Sequence, residues 1–434
     1  MKLRTTRLAL ALGALASVVL AGCSMPDTVG SAIRNDGQTI PMSNVYSVGG
    51  QAQLIVKRKT ENAAPLKIAG IKRVRLTQMP GVEVNAVTDG NVQRAIDRVE
   101  ADPSVEYVEP NLRMIIPKTL EDAAEASRNR SQDPNFQGSY GPKLIKALDA
   151  HSKTTGEGQV IAVVDTGLDL THPDFAGKLV PGINTAEPGK SAADDQGHGT
   201  NCAGIAGSKK NDQQGYIGVA PGAKLMPIKV LGADGSGSDA SVAEGIRWAA
   251  DHGATVISLS LGGPAATKTG AEAVKYALSK GAVLVAAMGN NGSGQESYPA
   301  AYPGVISVGA TDINDKVTSF SQYGKWISVT APGYSILSSF PSYRVSGLTQ
   351  YEKNKAGMEK YGMKMALGYC YMTGTSQATP HVAGLAALVR ASNPSLNAAQ
   401  VKAKIEGAAV RTAGMSGAFD THYGYGRVDA LKSL

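Results

Sequence analysis

The 434-residue chain is long enough for two or three domains and a sizeable core; it is 42% hydrophobic and 18% charged, with 51 glycines. That profile excludes a disordered, collagen-like or coiled-coil protein. A net charge of +7 spread over this length gives no basic face dense enough for nucleic acid, and three cysteines cannot build a disulfide framework. At the N-terminus, Lys2, Arg4 and Arg7 precede the apolar run Leu8 to Leu20. The run is too short to span a bilayer and reads as an export signal.

The signal closes on Leu20-Ala21-Gly22-Cys23, which resembles the lipobox of bacterial lipoproteins. That resemblance implies a signal peptide over 1–22, acylation of Cys23 and attachment to a membrane of the cell envelope. Residues 23–44, with Pro, Gly and polar side chains, read as a tether. From 45 to 117 the expectation is a small α+β domain. Gln53 to Val56 and Arg73 to Leu76 look like strands, and Val92, Ala95, Ile96 and Val99 recur at helical spacing behind Asp89-Gly90-Asn91. Val105 to Ile116 closes it with a further strand-like run, and 118–131 is polar and without periodicity, an exposed linker open to proteolysis.

Over 132–434, apolar β-rich runs alternate with helical patterns. Val160 to Val164, Ala223 to Leu231, Thr255 to Leu261, Ala282 to Ala287 and Val305 to Val308 read as buried strands; Ser241 to Asp251 and Ala271 to Lys280 read as helices. Such alternation predicts an α/β fold, a parallel sheet with helices on both faces and ligands at the carboxyl ends of its strands.

Three Gly-flanked polar residues stand out. Asp165 ends the first buried strand in Val163-Val164-Asp165-Thr166-Gly167, and His198 opens a small-residue helix in Gly197-His198-Gly199-Thr200. Ser376 lies in Gly374-Thr375-Ser376-Gln377, ahead of the apolar helix Ala378 to Ala391 with Pro380 in its first turn. Singly, each reads as a cap or a satisfied core group. Jointly, they supply a hydroxyl nucleophile, an imidazole to take its proton and a carboxylate to fix the tautomer.

These motifs, with the run Gly374 to Gly384, resemble the subtilisin-like serine proteases, closest to the thermitase and proteinase K branches. The resemblance implies a serine endopeptidase acting on proteins or peptides through an Asp165-His198-Ser376 triad and an acyl-enzyme. Asn290, in Ala286-Ala287-Met288-Gly289-Asn290, matches the oxyanion segment. Gly235, Ser236 and Gly237, with Ser260, Leu261 and Gly262, match the strands that clamp an extended peptide; Gly235-Ser236-Gly237 lacks the spacing and Lys of a phosphate loop. Structural Ca²⁺ is implied, with Asp133, Asp174 and Asp212 at the matching positions. Residues 45–117 resemble the family's ferredoxin-like inhibitory propeptide, which would make the chain an autoprocessed proenzyme whose acyl anchor stays on the inhibitor. The catalytic domain is expected to be a monomer, released outside the cell unless the two domains stay bound.

Cys202 matches a free Cys of those branches and reads as a small buried hydrophobe, with a disulfide to Cys370 as the alternative. The chain departs from the family at Asn201, where a second His is usual, at Gln377, where Met is usual, and in an insertion at about 342–369. The insertion is expected to rim the leaving-group side of the cleft. Two other classes compete: a catalytically inert, peptide-binding envelope lipoprotein on the same scaffold, and an α/β cofactor enzyme, which would need a dinucleotide fingerprint the chain lacks.

Overall fold

The computed structural model describes residues 32–33, 39–61, 63–117, 140–209, 217–346 and 368–434. Cys23, the linker at 118–131, Asp133, Asp212 and most of the insertion lie outside them. No helix among the described residues is long and apolar enough to cross a membrane.

The N-terminal domain has an antiparallel sheet whose four long strands are β1 (Gln51–Arg58), β2 (Ile71–Leu76), β3 (Val82–Val87) and β4 (Val105–Pro110), with the short strand Ser47–Val48 pairing to the start of β1. Its order, β4-β1-β3-β2, is the ferredoxin arrangement. Helix α1 (Val92–Glu100), capped by Asn91 accepting from the Arg94 N–H, buries Val92, Ala95, Ile96 and Val99 on one face of the sheet. The ferredoxin pattern is incomplete: among the described residues the β1–β2 connection has no helix. Among those residues the opposite face carries no helix of its own domain, and Ile55, Val82 and Val84 on it pack into the body.

In the body, seven parallel strands run in the order β7-β8-β6-β10-β11-β12-β13. They are β6 (Val160–Asp165), β7 (Ile183–Asn184), β8 (Lys224–Lys229), β10 (Val256–Leu259), β11 (Val283–Ala287), β12 (Ile306–Thr311) and β13 (Val329–Pro332). The period-2 alternation of strand side chains sorts the two faces. Ile161 and Val163 join α2 (His198–Gly207) and α5 (Thr375–Ser392); Ala162 and Val164 join α3 (Asp239–Asp251) and α4 (Lys268–Ser279). Helices therefore cover both faces of the sheet, as expected. Further short strands lie off the sheet: β5 (Arg113–Ile115) pairs with β9 (Ser236–Ser238), and β14 (Ile336–Ser339) pairs with β15 (Tyr369–Met372).

Cys202 is the buried small side chain expected, and the alternative disulfide is not formed: Cys202 lies under α5 while Cys370 packs with Phe340 and Val345. One expectation needs correction. Helix α5 begins at Thr375, which puts Pro380 in its second turn and not its first. Proline brings no N–H for the carbonyl four residues back, Ser376. That carbonyl instead accepts from the Ser260 hydroxyl at 2.8 Å and the Cys202 thiol at 3.5 Å.

Candidate active site

Asp165 ends β6, where the sheet opens, and His198 is the first residue of α2. The approach is close: a Cβ on Gly199 would sit 2.2 Å from the Gly167 carbonyl, so only glycine lets the helix reach the strand end. His198 Nδ1 meets Asp165 Oδ1 at 2.8 Å, and the Thr166 N–H donates to the same oxygen at 2.8 Å. Burial pulls the His198 pKa down, but the Asp165 charge and hydrogen bond outweigh it and hold it well above the ordinary value. The Cys202 thiol, 3.8 Å from Nδ1, adds to that rise, and its own pKa is pushed up by burial.

Ser376 lies in the first turn of α5, almost wholly buried. Its hydroxyl donates to the Ser260 carbonyl at 3.1 Å, and His198 Nε2 has no hydrogen-bond partner among the described residues. Asn290 follows β11 at the same end of the sheet. Its Oδ1 accepts from the Thr375 N–H at 2.9 Å and the Thr375 hydroxyl at 2.8 Å, which turns its Nδ2 outward. Gly289, at φ +106°, permits the turn; a side chain there would strike Gln322.

The cleft is filled by the end of the N-terminal domain. Ile115, Met114 and Arg113 of β5 lie opposite Ser236, Gly237 and Ser238 of β9. On the other side the Ile115 N–H donates to the Gly262 carbonyl at 3.0 Å, and the Gly262 N–H returns a bond at 2.9 Å. The Ile116 N–H donates to the Gly235 carbonyl at 3.0 Å. One step on, Asn290 Nδ2 donates to the Pro117 carbonyl at 2.8 Å. Gly235, Ser236, Gly237 and Gly262 thus hold the tail by main chain, while Leu261 is buried in the apolar cluster that also takes Met114. Ser260 has a different place from the one expected, under Ser376. A cavity of about 480 Å³ adjoins Pro117, lined by Asn290, Gln295, Glu296, Ser297 and Gln322 among others.

Sequence reasoning missed two groups that hold this site. The buried Asp194 carboxylate accepts from the Thr166 hydroxyl at 2.9 Å, the Thr200 hydroxyl at 2.6 Å and the N–H groups of Gln196, Gly197 and Thr200, tying the end of β6 to the start of α2. Burial raises its pKa against those bonds. The buried Lys229 ammonium donates to the Thr166 and Leu231 carbonyls, each at 2.8 Å, and to Asp195 at 2.6 Å. The acid pair in Asp194-Asp195-Gln196-Gly197-His198 is the sequence signal that could have found the first.

Asp174 is buried, its carboxylate accepting from the hydroxyls of Ser339 at 2.7 Å and Tyr369 at 2.9 Å. The described limb of the insertion does not lie on the leaving-group side. The Tyr343 hydroxyl donates to the Asp194 carbonyl and the Ser346 N–H to the Asp195 carbonyl, while the Ser346 hydroxyl reaches Ala233. Ala233 neighbours Gly235, on the side that holds residues preceding Pro117.

Comparison with known proteins agrees with this geometry. A model described as the subtilase family matches residues 156–426. The chain is 36% identical over 420 residues to "Thermophilic serine proteinase" of Bacillus sp. (strain AK1), covering 93% of this chain and 94% of that protein. It is 41% identical over 303 residues to "Thermitase" of Thermoactinomyces vulgaris, covering 70% of this chain and 98% of that one. Fervidolysin from Fervidobacterium pennivorans, described as a keratinolytic enzyme related to subtilisin, superposes with a TM-score of 0.73 at 31% identity. The match covers 90% of this chain and spans 62% of that one. These relatives leave no place for an inert scaffold or a cofactor enzyme: the chain belongs to the subtilase family and is a subtilisin-like serine endopeptidase.

Proposed function

We propose that the chain is an autoprocessed proenzyme in which Ser376 is the nucleophile, His198 the general acid and base, and Asp165 the group that orients and charges the imidazole. Ser376 Oγ attacks the peptide carbonyl carbon as its proton passes to His198 Nε2. The carbonyl oxygen, now negative, takes hydrogen bonds from Asn290 Nδ2 and the Ser376 N–H. Collapse breaks the C–N bond, the imidazolium gives its proton to the leaving amine, and water then releases the acyl group by the same route. Substrates are held as an extended strand between Gly235–Gly237 and Gly262.

The observation that carries this reading is the Asn290 amide donating to the Pro117 carbonyl at 2.8 Å, with the chain before it paired on both sides. It supports residues 45–117 as the inhibitory propeptide and the bond after Pro117, to Lys118, as the one processed. Glu109 supports it further: its carboxylate accepts from the N–H groups of Lys268 and Thr269, both at 2.9 Å, at the positive end of α4. Cleavage there would leave the acylated Cys23 on the inhibitor, so that the lipid holds the propeptide at the envelope while the endopeptidase can leave.

Calcium belongs to the same proposal. Asp174 fits a hard cation by its chemistry, a buried carboxylate whose two oxygens stand among the hydroxyls of Ser339 and Tyr369. Asp133 and Asp212 would supply further oxygens, and the ion would tie the start of the catalytic domain to its body. A chelator should then speed thermal inactivation; an unchanged rate removes the ion from the account.

An intact-mass time course of the precursor beginning at Ser24, beside Ser376→Ala, tests the whole. Loss of the segment ending at Pro117 from the unsubstituted chain alone is the expected result. Cleavage in both, or a cut elsewhere, overturns the assignment of the nucleophile or of the bond.

A further inference from the structure

Asn201 and Gln377, unrelated departures in the sequence, meet in the fold. Gln377 Nε2 donates to Asn201 Oδ1 at 3.3 Å, with both side chains buried. Asn201 stands three residues after His198 on α2, and Gln377 directly follows Ser376 on α5. The bond therefore joins the helix of the imidazole to the helix of the hydroxyl. Each member is held at its back: Asn201 Nδ2 donates to the Cys370 carbonyl at 3.1 Å, the Asn201 carbonyl accepts from the Ser338 hydroxyl at 2.8 Å, and the Gln377 carbonyl takes a bond from His381 Nδ1 at 2.8 Å.

Apolar side chains in these two places would also pack, but dispersion contacts have no direction and let one helix slide on another. A buried donor and acceptor must find each other, because leaving either unpaired costs the desolvation of that group. The site has a use for such a constraint. With the tail in the cleft, Ser376 Oγ is turned to Ser260 and His198 Nε2 has no partner, so the proton-transfer contact forms only after a small movement. That contact works only within hydrogen-bond reach, and an error of about 1 Å costs on the order of a hundredfold in rate.

We propose that Asn201 and Gln377 are a positioning pair whose hydrogen bond sets the separation of His198 and Ser376. Neither touches substrate or the reacting atoms. The inference rests on the roles given above to Ser376 and His198.

The test is a double-mutant cycle on mature enzyme counted by titration with a stoichiometric serine-directed inhibitor, using Gln377→Met, Asn201→Ala and the double variant. Each single change should lower kcat about tenfold with KM within about twofold, and the double should lose about the same tenfold rather than a hundredfold. Unchanged kcat per titrated site, losses that multiply, or a lowered Tm with normal kcat would each overturn the pair. Asn201→Ala reaches the bond from the other helix, so a folding failure of Gln377→Met leaves the test standing. Full activity in Ser376→Ala would instead sink the parent reading of the nucleophile, whatever the pair does.

Discussion

The N-terminal domain grips the body in two places, and the two follow different rules. Its tail, Arg113 to Pro117, is held by backbone groups of Ser236–Ser238, Gly235 and Gly262, and its carbonyl end by Asn290. Its sheet face is held by side chains: Ile55, Val82 and Val84 in the apolar cluster with α3 and α4, and Arg75 on Glu244 at 2.6 Å. Main-chain pairing asks little of the sequence paired, which suits a cleft that must take many peptides. Side-chain packing asks for one partner, and here it joins this domain to this body. The tail's pairing is open to many sequences, and the sheet face fits one.

The sharpest way to break the comparison is at the tail. Ser376→Ala should lower peptide hydrolysis by on the order of 10⁶ in kcat while leaving the tail's pairing intact, read as an uncut precursor by mass. Asn290→Ala should cost ~10²–10³ in kcat with little change in KM, since its amide serves charge that develops only in the transition state. Acid should act on the chemistry alone. The base form of His198 is neutral, so kcat/KM should fall about a hundredfold over two pH units below its pKa, a limb that Asp165 places above that of a free imidazole. Asp165→Asn should move that limb down; a limb that stays put would remove Asp165 as its cause.

At the sheet face, Arg75→Ala takes the counter-charge from the nearly buried Glu244 carboxylate and leaves it the Gln78 N–H at 2.7 Å. Inhibition of mature enzyme by the separate N-terminal domain should weaken about ten- to a hundredfold, with kcat unchanged. The smallest effect belongs to Arg113→Ala. Its contact with Asp234 is 3.8 Å long between exposed side chains, and inhibition should change within about twofold. A loss at Arg113 as large as that at Arg75 would show that the tail, too, is read by side chains.

Legibility in the sequence followed the kind of partner each residue has. Strands β6, β8, β10, β11 and β12 were legible as apolar runs because both faces of the parallel sheet are covered. Strand β3 was not, since Glu83 and Asn85 look solvent-facing; Glu83 is buried between Arg58 at 3.1 Å and Arg73, a pairing no local pattern announces. Asp165, His198, Asn290 and Ser376 were legible because each sits in a Gly-flanked motif at an element end. Asp194 and Lys229 were not, because the fold decides their burial: each reaches Thr166, 28 and 63 positions away in sequence, and Lys229 also reaches Asp195. The meeting of Asn201 with Gln377 spans 176 positions and needs the fold.

Pro380 has an effect that reaches past its own helix. By freeing the Ser376 carbonyl it lets Ser260 take hold of both ends of that residue, accepting from the hydroxyl and donating to the carbonyl. Ser260 lies two positions before Gly262, which pairs with the bound chain. The residue that holds Ser376 and the residue that pairs the tail thus stand two positions apart, so one short stretch of backbone fixes the place of both the bound chain and the Ser376 hydroxyl.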